Sequence, residues 1–210
     1  MRRLSLAFLL LSVLAAPGVA SAGAQAEELI SASVRAGLSL AVSDQATPDG
    51  SFLSVAAKEA WLAAQLPRLV DWVPNPGERE KLLLAVHYEA TRAGLDPEMV
   101  LGLLYVESRF RKYAVSSAGA RGYMQVMPFW LKVVDRPTDN LFHLRTNLRY
   151  GCAILRHYLD TEGGDLFLAL GRYNGSRGKR DYPDLVLAGW KRFQLSPPGK
   201  PATQMAIAAQ

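Results

Sequence analysis

Three observations predict a mainly α-helical fold with at most a small β element, preceded by an N-terminal helical segment. Apolar residues recur at helical spacing in successive stretches between Phe52 and Phe193, several of them opened by a capping Asp or Ser. No long run alternates apolar and polar residues as a half-buried strand does. The one irregular stretch of the main domain, 113–128, carries Ser116, Ser117, Gly119 and Gly122, and short strands are expected only there. A length of 210 residues suits one domain with an appended segment, and a chain that is 50% hydrophobic is not disordered. Cys152 is the only cysteine, which excludes a disulfide scaffold.

The first 22 residues read as a secretory leader. Arg2 and Arg3 give a positive start, Leu4 to Ala16 is an uncharged apolar run, and Pro17-Gly18 breaks it. Ala20-Ser21-Ala22 supplies the small residues of a cleavage site, with Ala24-Gln25-Ala26 as a second one. The run is short of the ~20 residues that span a bilayer, and no Cys follows it to take a lipid. Export to a bacterial periplasm as a soluble protein, not a lipoprotein, is expected.

Residues 23–76 are expected to be an N-terminal helical or linker segment. Its first part, 27–43, is weakly patterned; Thr47-Pro48-Asp49-Gly50 marks a turn, and Ser51 is placed to cap a helix from Phe52 to Leu66. Pro74-Asn75-Pro76-Gly77 sets a boundary, and the main domain is placed at 77–193. A helix follows over Glu78–Ala93, stopped by Gly94. Asp96-Pro97-Glu98 then supplies a cap, a first-turn Pro and an acid at the positive helix end. The helix it opens, Pro97 to about Phe110, is apolar on almost every side, which predicts burial. Further helices are expected around 146–159, over Leu166–Arg172 behind an Asp165 cap, and over Tyr182–Phe193, with a turn at Tyr173-Asn174-Gly175-Ser176. Residues 194–210 are expected to be a flexible tail.

Charge is uneven. Residues 23–106 hold 6 basic and 11 acidic residues, whereas residues 107–193 hold 15 basic and 8 acidic. A basic second half suits an acidic partner, or is a solvated face. Export, and the lack of a basic-aromatic signature, argue against nucleic acid. His87, His143 and His157 have no metal-ligand spacing and no phosphate-cradling Gly loop is present, so neither metal nor cofactor is expected.

Glu107 is the sharpest chemical feature. A carboxyl near the C-terminal end of an all-apolar helix loses solvation and faces the negative end of the dipole, so its pKa is expected to rise. A carboxyl still protonated near neutral pH is what a general acid requires. The competing reading is an exposed helix-end Glu paired with Arg109 or Arg111. No other acid lies between Glu107 and Asp135.

The sequence around it, Val106-Glu107-Ser108-Arg109-Phe110, then Ser116, then Gly122-Tyr123-Met124-Gln125-Val126-Met127-Pro128, and later Tyr173-Asn174, resembles the soluble lytic transglycosylases, bacterial enzymes of glycoside hydrolase family 23. The resemblance covers roughly 77–193. It departs at Tyr123, where the family usually has Leu, at Arg172, usually Ala, and at Arg111-Lys112, usually Asn-Pro. It implies a lysozyme-like fold and, with Glu107 as the single catalytic acid/base, cleavage of peptidoglycan glycan strands between N-acetylmuramic acid and N-acetylglucosamine with a 1,6-anhydro product. It also implies that Ser116 bonds near the acid or the sugar N-acetyl group, and that Gln125 and Met127 line sugar subsites. Tyr173 is implied to face the glutamate, with Asn174 beside it in the site. The alternatives are a muramidase of the same fold that admits water, and a non-catalytic peptidoglycan-binding or secretion-assembly protein, which the intact Glu107 disfavours. The basic half would meet the carboxylates of the wall's stem peptides.

Overall fold

The computed structural model describes Gln25 and residues 30–43 and 48–195; the expected leader at 1–22 and nearly all of the expected tail lie outside the described residues. Eight α-helices are described: α1 (Ala32–Ser43), α2 (Val55–Gln65), α3 (Pro76–Arg92), α4 (Pro97–Ser108), α5 (Phe129–Val133), α6 (Leu144–Thr161), α7 (Leu166–Asn174) and α8 (Asp181–Phe193). Among the described residues there is no β ladder. The irregular stretch contributes only isolated antiparallel bridges, Val115 with Arg121 and Arg121 with Val126.

The central helix is α4. Asp96 caps it by accepting from the Met99 N–H at 2.9 Å, and Val100, Leu101, Leu103 and Leu104 are fully buried. It packs most closely on α8, where two glycines meet. A Cβ on Gly102 would lie 2.4 Å from the Trp190 backbone nitrogen, and one on Gly189 would lie 2.8 Å from the Gly102 carbonyl oxygen. Neither position has room for a side chain, so the helices approach backbone to backbone and carry the end of α4 against the start of α8.

α4 stops at Ser108, two residues before the sequence suggested. Arg109 and Phe110 both take positive φ, 51° and 58°, a conformation costing L-residues roughly 1–2 kcal/mol each. Compensation is visible on both side chains. Phe110 turns into the core edge-on to Phe193, and the Arg109 guanidinium lies 3.9 Å over the Tyr105 ring.

Two other boundaries differ from expectation. Ser51 does not cap α2: its hydroxyl bonds His87 Nδ1 at 2.7 Å, while Phe52 stacks on the same imidazole. Both are drawn onto α3, and Ser54 caps α2 instead, accepting from the Ala57 N–H. Tyr173 and Asn174 are not in a turn. They are the last residues of α7, and the left-handed stop is Gly175 at φ 80°.

The segment before residue 77 shares its core with the helices that follow it. Leu38, Val42, Trp61, Leu62 and Leu69 are buried in the same apolar cluster as α4 and α6. Polar contacts tie it further: Trp61 Nε1 donates to Glu98 at 2.9 Å and Gln65 Nε2 to the Phe193 carbonyl at 2.8 Å. Between α3 and α6, Glu89 is fully buried and is held by Arg92, Arg145 and Arg149. Cys152 is buried on α6 against Met124, and burial pushes its thiol pKa up, away from nucleophile chemistry.

Candidate active site

Glu107 sits in the last turn of α4 and is 5% exposed. Its Oε1 accepts from the Tyr182 hydroxyl at 2.5 Å, and Oε2 is buried with no hydrogen-bond partner among the described residues. Burial pushes the carboxyl pKa up to about 8, against the smaller opposing effect of the Tyr182 bond. The acid is therefore neutral at the pH where most carboxyls are charged. The alternative of an exposed ion pair does not hold: Arg109 lies on Tyr105, and Arg111 donates to the Ser108 carbonyl at 3.0 Å. Arg111 thus caps the broken end of α4.

The loop 113–128 follows the acid, and three side chains fix its shape. Ser108 reaches from α4 to donate to the Tyr123 carbonyl at 2.8 Å. Asn147, fully buried on α6, accepts from the Met124 N–H at 2.8 Å and donates to the Arg121 and Leu141 carbonyls. Gly122 passes so close that a Cβ would meet Asn147 Nδ2 at 2.5 Å, and its φ of 75° disfavours any other residue. Met124 packs into a gap on α6 that exists because residue 151 is glycine; a Cβ there would lie 2.3 Å from the Met124 sulfur.

The remaining sequence-selected residues fall into two groups. Ser116 and Gln125 shape the loop. The Ser116 hydroxyl accepts from the Ala120 N–H at 3.1 Å, and the Gln125 carboxamide is turned inward, donating to the Ala114 and Gly122 carbonyls. Gln125 does this from a left-handed backbone, φ 49°. Met127 and Tyr173 form the second group. Met127 is half-buried and presents its backbone N–H, and Tyr173 is fully buried, donating to the Met124 carbonyl at 2.7 Å. Tyr173 feels the Glu107 charge, which with its burial raises its pKa. Asn174 is buried beside it at the end of α7.

Sequence reasoning missed Tyr182. It opens α8 beside a Pro, 75 residues from Glu107, and nothing local marks it. It also missed Trp130, whose buried indole N–H lies at the start of α5. The departures at Arg111 and Arg172 have structural work: Arg111 caps α4, and Arg172 bonds Glu162 at 2.7 Å, joining α7 to the end of α6. A separate recess of about 540 Å³, lined by Val34, Leu38, Arg156 and His157 among others, contains none of the site residues. Among the described residues no cluster of His, Cys, Asp or Glu could hold a metal ion.

Residues 85–183 match the family described as Transglycosylase SLT domain. A transglycosylase of Enterobacteria phage PRD1 is 34% identical over 106 residues, 50% of this chain and 36% of that protein. Membrane-bound lytic murein transglycosylase C of Histophilus somni (strain 2336) is 32% identical over 115 residues, 47% of this chain and 32% of that protein. The protein of that name from Actinobacillus pleuropneumoniae serotype 5b (strain L20) is 54% identical over a shorter 39 residues, 19% of this chain and 11% of that protein. The chain thus spans about a third of the length of the phage and Histophilus somni relatives.

Proposed function

We propose, from the match of residues 85–183 to the transglycosylase SLT domain family, that the protein is a peptidoglycan lytic transglycosylase that cuts between N-acetylmuramic acid and N-acetylglucosamine and leaves a 1,6-anhydro end. The observation that carries the proposal is Glu107: a neutral, buried carboxyl with one oxygen held by Tyr182 and the other unpartnered.

The division between the two oxygens assigns their roles. Oε1 accepts the Tyr182 hydrogen bond, so the acid's proton belongs on Oε2. Oε2 delivers it to the bridging oxygen as the glycosidic bond breaks. The carboxylate that results is stabilised by Tyr182, whose bond strengthens as charge develops. Most glycosidases place a second carboxyl across the bond. The causes of the Glu107 shift, burial and the Tyr182 bond, include no second acid among the described residues. The muramyl acetamido oxygen takes that role, covering the anomeric carbon. Glu107, now a base, removes the proton from the sugar's 6-hydroxyl, and that oxygen closes the ring. The attack is intramolecular and benefits from a high effective molarity.

Ser108, Asn147 and Tyr173 act at one remove, fixing the Tyr123 and Met124 backbone of the loop that follows the acid. The expected leader suits an activity in the periplasm, where the wall is. The test is clearance of purified sacculi by the wild type and by Glu107→Gln. The near-isosteric amide has no proton to give, and loss of general acid catalysis costs about 10²–10⁴-fold, compounded because one residue acts twice. Clearance at the wild-type rate by a folded Gln variant would contradict the proposal.

A further inference from the structure

One side chain from the N-terminal segment reaches the site. Gln25 is 4% exposed, although it lies 100 residues away in sequence from the loop it contacts. Its Oε1 accepts from Trp130 Nε1 at 2.9 Å and from the Met127 N–H at 3.3 Å. Its Nε2 donates to the Gln125 carbonyl at 3.5 Å, and the carboxamide is also a hydrogen-bond partner of Tyr173, the residue that feels the Glu107 charge. Two donors around the oxygen and an acceptor beside the nitrogen fix which end of the amide is which.

These partners describe a binding site for an amide. An indole N–H and a backbone N–H converge on one oxygen, and a backbone carbonyl waits for one N–H. Trp130 is 1% exposed, so its N–H depends on a partner brought to it. A sugar acetamido group offers the same pair, one carbonyl oxygen and one N–H. Both sugars of the proposed substrate carry it.

We propose that the Gln25 carboxamide fills an acetamido subsite of the glycan cleft, so that the N-terminal segment competes with substrate for Trp130, Met127 and the Gln125 carbonyl. This rests on the lytic transglycosylase reading. It also gives the two leader cleavage sites different consequences. Cleavage after Ala22 leaves Gln25 third in the exported chain, and cleavage after Ala26 removes it. The first form is self-occupied and the second is open.

The competition has a size. Apparent affinity falls by the fraction of molecules in which the site is free, so a subsite nine-tenths occupied weakens glycan binding about tenfold. The experiment compares the exported protein with Gln25→Ala and with Gln25→Leu, which lack the amide but leave the loop and Glu107 intact. Two readouts are taken: the Trp130 indole N–H resonance, and the affinity for tri-N-acetylchitotriose. The expected result is an indole resonance that moves in both variants without sugar, moves back toward its bonded position when the sugar is added, and an affinity about tenfold tighter than wild type. On sacculi, KM falls and kcat is unchanged. An indole resonance that stays put, or equal affinities in all three chains, overturns the inference and leaves the transglycosylase reading standing. The sacculus product decides that reading separately: if wild type and variants alike fail to cleave, the function falls.

Discussion

Replacing Glu107 with Gln should stabilise the protein, and by an amount that grows with pH. In the unfolded chain the carboxyl titrates near 4.5, and in the fold near 8 because burial penalises its charge. A carboxyl with a raised native pKa costs nothing below the unfolded value, where it is protonated in both states. As pH rises from 4.5 toward 8, the unfolded chain releases the proton and the native protein does not, so stability falls. With one pKa unit worth about 1.4 kcal/mol, the accumulated cost is about 0.8 kcal/mol at pH 5 and about 4 kcal/mol at pH 8. Gln carries no such dependence and keeps the shape of the side chain. Urea unfolding of both proteins at pH 5, 6.5 and 8 should therefore give curves that diverge by about 3 kcal/mol across the range, with Gln the more stable. The inactive protein would be the sturdier one, because the wild type holds an acid where an anion is unwelcome. A difference between the two that does not change with pH would refute the claim that Glu107 is held neutral by burial.

Three other substitutions separate the roles of neighbouring residues. Tyr182→Phe removes the donor that favours the Glu107 anion, so the basic limb of the kcat profile should move up by roughly one pH unit while kcat falls about tenfold or more, a bond to a charged group being worth roughly 1.5–3 kcal/mol; an unmoved limb would assign Tyr182 to packing. Tyr173→Phe frees the Met124 carbonyl and should lower kcat/KM by an amount equivalent to roughly 1–3 kcal/mol with no shift of the limb, as pH profiles beside the Tyr182 variant would reveal. Gly102→Ala must part α4 from α8 and should cost about 1–3 kcal/mol or more by chemical unfolding, with activity lost alongside because Glu107 and Tyr182 ride on those two helices.

The sequence was legible wherever the physics is local. The order of helices was readable because each carries its own caps and apolar spacing, as at Asp96 and Asp165. The raised pKa of Glu107 was readable because the helix around it is apolar on every side. Where tertiary contacts overrode local preference, the reading failed. Ser51 is a good cap residue, yet His87 takes its hydroxyl and Ser54 does the capping. Tyr173-Asn174-Gly175 has turn composition, but only Gly175 leaves the helix. Nothing in the sequence between Glu107 and Tyr182, which are 75 positions apart, announces their bond, because the Gly102–Gly189 crossing creates it. Gln25 was noticed only as part of a cleavage motif, and its contact with Trp130 exists only once the chain is folded.

The central claim is that Glu107 works alone and that the sugar's own 6-hydroxyl, not water, attacks. Digestion of purified sacculi in heavy-oxygen water, with mass spectrometry of the released muropeptides, tests it directly. The account predicts products ending in 1,6-anhydro-N-acetylmuramic acid, lighter by one water (~18 Da) than hydrolysed ones, with no reducing end and no label at that terminus. A dominant reducing product carrying the heavy oxygen would contradict it and make the protein a hydrolase.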